Sequence, residues 1–205
     1  MKNKFNLLVL TTISAFTSGS ILAEELSYDY IDTTIVRYDL KSTSTTFTYD
    51  GYSVSVSKKL FKNVHLLGSY LDLEKGNENT IGFKSIGFGM NYPINKSTDI
   101  VFDYLHFNWE QSHTSSNSVT TKGEGIINSI EPEIRHQFSD DIELNAGLVY
   151  RNIAGLDITY KGLSAGAIYR INNNFSLKFK IFSAKDSASN TVDWNGKEFG
   201  IRYHF

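Results

Sequence analysis

The chain has 205 residues, 40% hydrophobic and 14% aromatic, with no cysteine and a formal net charge of −2 at pH 7. The absence of cysteine excludes disulfides, thiol nucleophiles and thiolate metal sites, and the lack of a basic block argues against nucleic acid as a partner. The mean hydropathy of −0.25 suits a soluble protein, but a membrane barrel alternates lipid-facing and lumen-facing residues and averages just as low.

Residues 1–23 read as a secretory signal. Lys2 and Lys4 supply the positive start, residues 5–16 (FNLLVLTTISAF) the apolar stretch, and Ile21-Leu22-Ala23 the cleavage pattern, with Ala at −1 and a less usual Ile at −3. The apolar run is short of the about 20 residues that a spanning helix needs. No cysteine follows the cleavage site, so a lipid-anchored start is not expected. The domain plan is a signal peptide over 1–23 and one domain over 24–205.

Beyond it, short turns at 59–63, 93–98, 138–141 and 171–174 alternate with longer polar breaks at 39–45, 75–80, 112–123, 154–158 and 185–195. Together they mark out ten strands, near 26–38, 46–58, 64–74, 81–92, 99–111, 124–137, 142–153, 159–170, 175–184 and 196–205. In the seventh strand Ile142, Leu144, Ala146, Leu148 and Tyr150 share one face, opposite Glu143 and Arg151. In the ninth, Phe175, Leu177, Phe179 and Ile181 oppose Lys178 and Lys180; in the tenth, Phe199, Ile201, Tyr203 and Phe205 oppose Glu198 and Arg202. The sixth places Ile130 and Ile134 opposite Glu131, Glu133 and Arg135. Aromatic placement favours a barrel in lipid over a soluble sandwich. Tyr28, Tyr30, Tyr92, Tyr169, Tyr203 and Phe205 fall toward one set of strand ends, and Tyr70, Tyr104, Tyr150 and Trp109 toward the other, as two interfacial girdles would.

The fold class expected is all-β: a closed antiparallel up-and-down transmembrane β-barrel of ten strands, or of eight if one hairpin does not span. Two places fit poorly. Pro132 lies within the sixth strand and calls for a bulge or a local break. The first and third strands, around Ile31-Asp32-Thr33-Thr34 and Leu66-Leu67-Gly68, do not sort into two faces.

Four stretches carry a family resemblance: Tyr28-Asp29-Tyr30; Asn63-Val64-His65-Leu66-Leu67-Gly68-Ser69-Tyr70; Gly87-Phe88-Gly89-Met90-Asn91-Tyr92; and Tyr203-His204-Phe205. With them the chain resembles the small outer-membrane β-barrel proteins of Gram-negative bacteria, in the OmpA/OmpX-like group. More narrowly, it is similar to the quorum-signal-regulated small barrels. Thr and Ser at 41–46 stand where that narrower group often carries acid-rich repeats. The resemblance implies residence in the bacterial outer membrane after export. It also implies that Tyr203 and Phe205 form the signal read by the barrel-assembly machinery. The partners expected are that machinery and periplasmic chaperones during biogenesis, then outer-membrane lipid and lipopolysaccharide; the barrel is expected to be a monomer without a cofactor.

The lumen-facing set is Asp103, Glu131, Glu133, Arg135, Glu143, Arg151, Arg170, Lys178, Lys180, Glu198 and Arg202. Buried charges need partners, and ten strands enclose a narrow space, so an ion-pair network that fills the barrel is expected ahead of a narrow channel for small solutes or ions. A hydrolase at the outer rim would draw on Asp72, Glu74, His106, Glu110, His113, Asp157, Asp186 and Asp193. They are scattered, without triad or metal-ligand spacing, and His113 is expected in a mobile Ser/Thr-rich loop over 111–122. The function expected is therefore non-enzymatic: a porin-like barrel with a structural, surface-interaction or adhesive role and a largely plugged polar lumen.

Overall fold

The computed structural model describes residues 26–205 except 43, 77–78, 115–119, 157 and 188–191. The expected signal segment lies outside the described residues, as does Asp157. Ten strands are present: β1 (Tyr30–Ser42), β2 (Thr46–Phe61), β3 (Val64–Lys75), β4 (Asn79–Asn95), β5 (Thr98–Thr114), β6 (Thr120–Gln137), β7 (Ile142–Ile153), β8 (Ile158–Arg170), β9 (Phe175–Asp186) and β10 (Val192–His204). Each pairs antiparallel with the next, and β1 closes on β10 from Tyr30↔His204 to Ser42↔Val192. The count is ten, not eight. Closure leaves no strand edge, so every strand has hydrogen-bonding partners on both sides.

The short turns lie where the sequence places them. Asn95 and Asn172 fold their side-chain oxygens back onto the chain: Ser97 N–H donates to Asn95 Oδ1 at 2.9 Å, and Asn174 and Phe175 N–H donate to Asn172 Oδ1 at 3.0 and 2.9 Å. At the other end Gly76 (φ 61°) and Gly155 (φ 83°) take the left-handed conformation that the turns after β3 and β7 require.

The polar breaks at this second end are shorter than expected, because the strands run on into them. β1 continues to Ser42, and β5 and β6 stay in register up to Thr114↔Thr120. His113 is thus on a strand, not in a loop. Thr and Ser are polar enough to read as loop, yet Thr is a good strand former wherever a neighbouring strand offers partners. Pro132 interrupts the ladder locally. Ile130 pairs with Tyr150 and Glu133 with Gly147, with no pairing between and no shift of register. The missing N–H thus removes a rung, and no bulge forms.

Alternation sorts the side chains into two environments. Outside, a belt of exposed apolar groups circles the barrel, with Ile35 60%, Ile86 62%, Leu163 64% and Tyr92 67% exposed. A continuous surface of this kind is far larger than water-soluble monomers carry. Its upper edge is sharp: on each of several strands the last apolar residue is followed two positions on by a polar one. Examples are Ile35 then Arg37, Ile86 then Lys84, Leu163 then Lys161, and Phe199 then Lys197.

Candidate functional site: the barrel lumen

The inward face has two layers. The lower one, in the half nearer the short turns, is charged. Arg202 donates from Nε and Nη2 to both oxygens of Asp32 at 2.7 and 3.0 Å, and Lys178 Nζ donates to Asp32 Oδ2 at 2.8 Å. Arg135 grips Glu143 in the same two-pronged way, at 2.7 and 2.9 Å. Arg151 Nη2 donates to Glu131 Oε1 at 2.9 Å, and Lys180 lies 3.5 Å from Glu131 Oε2. Glu198 accepts from Tyr38 Oη at 2.9 Å and lies 3.9 Å from Lys178. Asp103 lies 3.0 Å from His65 Nε2. Asp32, Arg202, Arg135, Glu143 and His65 are all buried. Such charges persist in a narrow lumen because each cation has a carboxylate in direct reach and forked geometry aligns the two.

Ten of the eleven expected lumen residues therefore face the interior. Arg170 is set apart: it is at the short-turn end, and its guanidinium donates to the Asp140 carbonyl at 3.0 Å in an exposed position. The layer also contains groups that sequence reasoning does not find. Asp32 sits in the strand that failed to sort into faces. Asp99 accepts from Tyr28 Oη at 2.7 Å and from Asn91 Nδ2 at 3.0 Å. Tyr28 and Tyr30 are not girdle residues: both turn inward. The Tyr28 ring stacks on His65 with centroids 4.8 Å apart and lies beneath the Arg135 guanidinium; Tyr30 lies 3.5 Å beneath Arg202. The layer encloses a polar cavity of about 90 Å³, lined in part by Glu133, Lys180, His65 and Asn145. Among the described residues, none is a hydrogen-bond partner of His65 Nδ1 or Asn145 Oδ1.

The upper layer is apolar and rich in aromatics: Val36, Tyr38, Tyr49, Leu73, Ile81, Phe83, Ile127, Val149, Tyr160, Phe182, Ala184 and Trp194 form one buried cluster, with Trp109 packed against it. Trp109 was expected in the outer girdle; it points inward instead, over Gly123 and Gly125 of β6. Arg151 joins the layers, its guanidinium 4.9 Å from the Phe182 ring and 4.7 Å from that of Trp194.

These two layers and the outer belt define the site in its setting, and solved structures share the frame. No family model and no curated protein matches the chain. Solved structures of similar shape include the following three. The β domain of the Bordetella autotransporter BrkA has a TM-score of 0.55 at 8% identity, over 87% of this chain and 100% of that one. Neisserial surface protein A gives 0.51 at 9%, over 87% and 98%. The translocator domain of the autotransporter NalP from Neisseria meningitidis gives 0.51 at 9%, over 100% and 95%. The fold is that of a small outer-membrane β-barrel. The apolar belt is then the lipid-facing surface, and the girdles can be assigned. Tyr52, Tyr70, Tyr104 and Tyr150 sit at its upper edge on outward positions; Tyr92, Tyr169 and Tyr203 lie toward the lower.

Tyr203 pairs with Ile31, its ring stacked 6.5 Å from that of Phe205, over which Lys58 Nζ lies at 4.9 Å. The rim residues are not brought together. His106 Nδ1 meets Asn128 Oδ1 at 2.9 Å on the outward face, and His113 meets Asn79. Glu110 lies 3.5 Å from Lys84, Asp72 stands opposite Tyr52, Glu74 opposite Asp50, and Asp193 opposite Lys185. Asp186 is buried. Among the described residues no group of three His, Asp or Glu is placed to hold a metal ion.

Proposed function

We propose that the protein resides in a bacterial outer membrane as a non-conducting barrel and acts through its outer face, in a structural, surface-interaction or adhesive role. The observation that carries this reading is the double obstruction of the lumen: an ion-pair layer beneath an aromatic layer. A solute would have to displace both. Planar-bilayer recording tests it on protein shown to be folded by heat-modifiable gel migration. No unitary conductance is expected; reproducible steps would overturn the reading. The polar cavity beside His65 and Asn145 favours a second reading, a narrow path for water or small ions, and the same recordings decide between them.

Two partners follow from the same placement. Above the lipid belt, outward-facing Arg37 stands opposite Lys197 and Lys161 opposite Lys185. Asp50 already holds Arg37 through two hydrogen bonds and Asp193 stands opposite Lys185, so Lys197 and Lys161 are the cations of this group that lipopolysaccharide phosphates, sitting at this level, would meet. Tyr203 and Phe205 are the proposed assembly signal. Deleting Phe205 should lower the inserted fraction in cells several-fold while molecules that do insert keep wild-type thermal stability; normal insertion of the deletion would remove the role.

A further inference from the structure

The aromatic layer is not solid. It holds a cavity of about 160 Å³ toward the outer end of the barrel, walled chiefly by Tyr38, Tyr49, Phe83, Trp109, Tyr160 and Trp194. No charged side chain lines it among the described residues, and Gln111 is its sole amide. The Tyr38 hydroxyl is directed away to Glu198. Burying rings around an unfilled space is unfavourable unless the rings cannot close in, and here they are held apart. Trp194 is braced by Tyr38, Tyr160 and Phe182, all met edge-on, and stacks on Phe83 with centroids 6.4 Å apart. Trp109 lies against Gly125, where an added Cβ would come within 2.6 Å of the indole Nε1. Apolar cavities of about 150 Å³ stay dry in other proteins and accept a benzene-sized guest.

We propose that this cup is a binding site for one small, neutral, apolar molecule, a single aromatic ring or an alkyl group of similar size, received from the outer side. The Arg151 guanidinium under Phe182 and Trp194, with the ion pairs beneath it, forms the floor, so the guest is held and not passed through. That last point alone rests on the plugged-lumen reading.

The sequence has two tryptophans, Trp109 and Trp194, and both line the cup. Intrinsic fluorescence therefore reports its occupancy. The experiment titrates iodobenzene, a contact quencher, into the full barrel in lipid nanodiscs. Probe dissolved in the bilayer quenches in proportion to its concentration; probe in the cup adds a saturable component at one molecule per barrel. Leu40→Phe and Ile153→Phe add bulk to the wall and should weaken that component by about tenfold or more. The anion 4-iodobenzoate should bind weaker by a similar factor, about tenfold, because no cationic side chain among the described residues lines the cup to offset the loss of its hydration. A purely linear response of the wild type, or equal saturable quenching by iodobenzene and 4-iodobenzoate, overturns the proposal, and neither result depends on a variant folding. Saturable quenching unchanged in both folded variants overturns it as well. A conducting barrel would instead show itself in the bilayer recordings and leave the titration unaffected.

Discussion

At the scale of single residues the lumen is held by groups that have few alternatives. Arg135 and Glu143 are each buried and meet through two hydrogen bonds. Removing one leaves the other charged and unpaired, which costs about 3–5 kcal/mol, whereas replacing both by apolar groups of similar volume is close to neutral. Arg135→Met and Glu143→Met should each lower the unfolding free energy, read by urea titration in lipid vesicles, by an amount of that order, and the double variant should recover most of it. Strictly additive losses would show that the pair does not act as a unit. Gly196 is constrained by shape: a Cβ there would lie 2.1 Å from the Phe182 ring. That ring cannot retreat, since Tyr38 and Trp194 flank it at 5.2 and 5.9 Å. Gly196→Val should therefore cost about 1–3 kcal/mol through overpacking, read as a lower unfolding midpoint in the same vesicles; Gly82→Val, where nothing lies within 4 Å of the added carbon, should leave it nearly unchanged.

At the scale of the strand, the two faces carry different penalties. Ala146 faces lipid near the middle of β7, between Leu144 and Leu148, and Asn152 faces out above the belt. Ala146→Arg should destabilise by about 2–4 kcal/mol and Asn152→Arg by about 1 at most; equal effects at the two positions would move the lipid belt. This contrast also explains what the sequence reveals. In β6, β7, β9 and β10 the inner face carries Glu131, Glu143, Lys178, Glu198 and their neighbours, so charge alternates with apolar side chains and both faces are legible. In β1 and β5 the upper inner face carries Val36, Tyr38, Phe107 and Trp109, as apolar as a lipid face, and the alternation that would separate them is lost. That is why Trp109 reads as a girdle residue and the whole aromatic layer goes unseen. Tyr28 and Tyr30 mislead for a related reason. Tyrosine suits a membrane interface, but it equally suits a site where a ring covers a guanidinium and its hydroxyl reaches a carboxylate. Strand ends are misread where Ser and Thr continue a ladder beyond the lipid, since their composition signals loop and only the pairing shows otherwise.

At the scale of the whole molecule, the two layers obstruct the same passage in series, and this sets a non-additive expectation for permeability. Opening the lower layer with Glu131→Ala plus Arg151→Ala removes a charge pair together and takes from Lys180 the carboxylate it lies against, but the rings above still fill the section. Emptying the upper layer with Phe182→Ala plus Trp194→Ala leaves Arg151 free to settle onto Glu131 beside Lys180, and that group still blocks the section below. Each double variant should remain silent in planar bilayers, and the quadruple variant should conduct. The layers touch through Arg151, whose guanidinium lies against both Phe182 and Trp194, so stability should also be non-additive, as expected for side chains in direct contact. If either double variant alone opens the barrel, then only that layer closes it, and the other serves stability without gating. If the quadruple variant is folded and still silent, the remaining pairs close the lumen by themselves. In that case the aromatic layer is a lining for the cup above and adds nothing to the barrier.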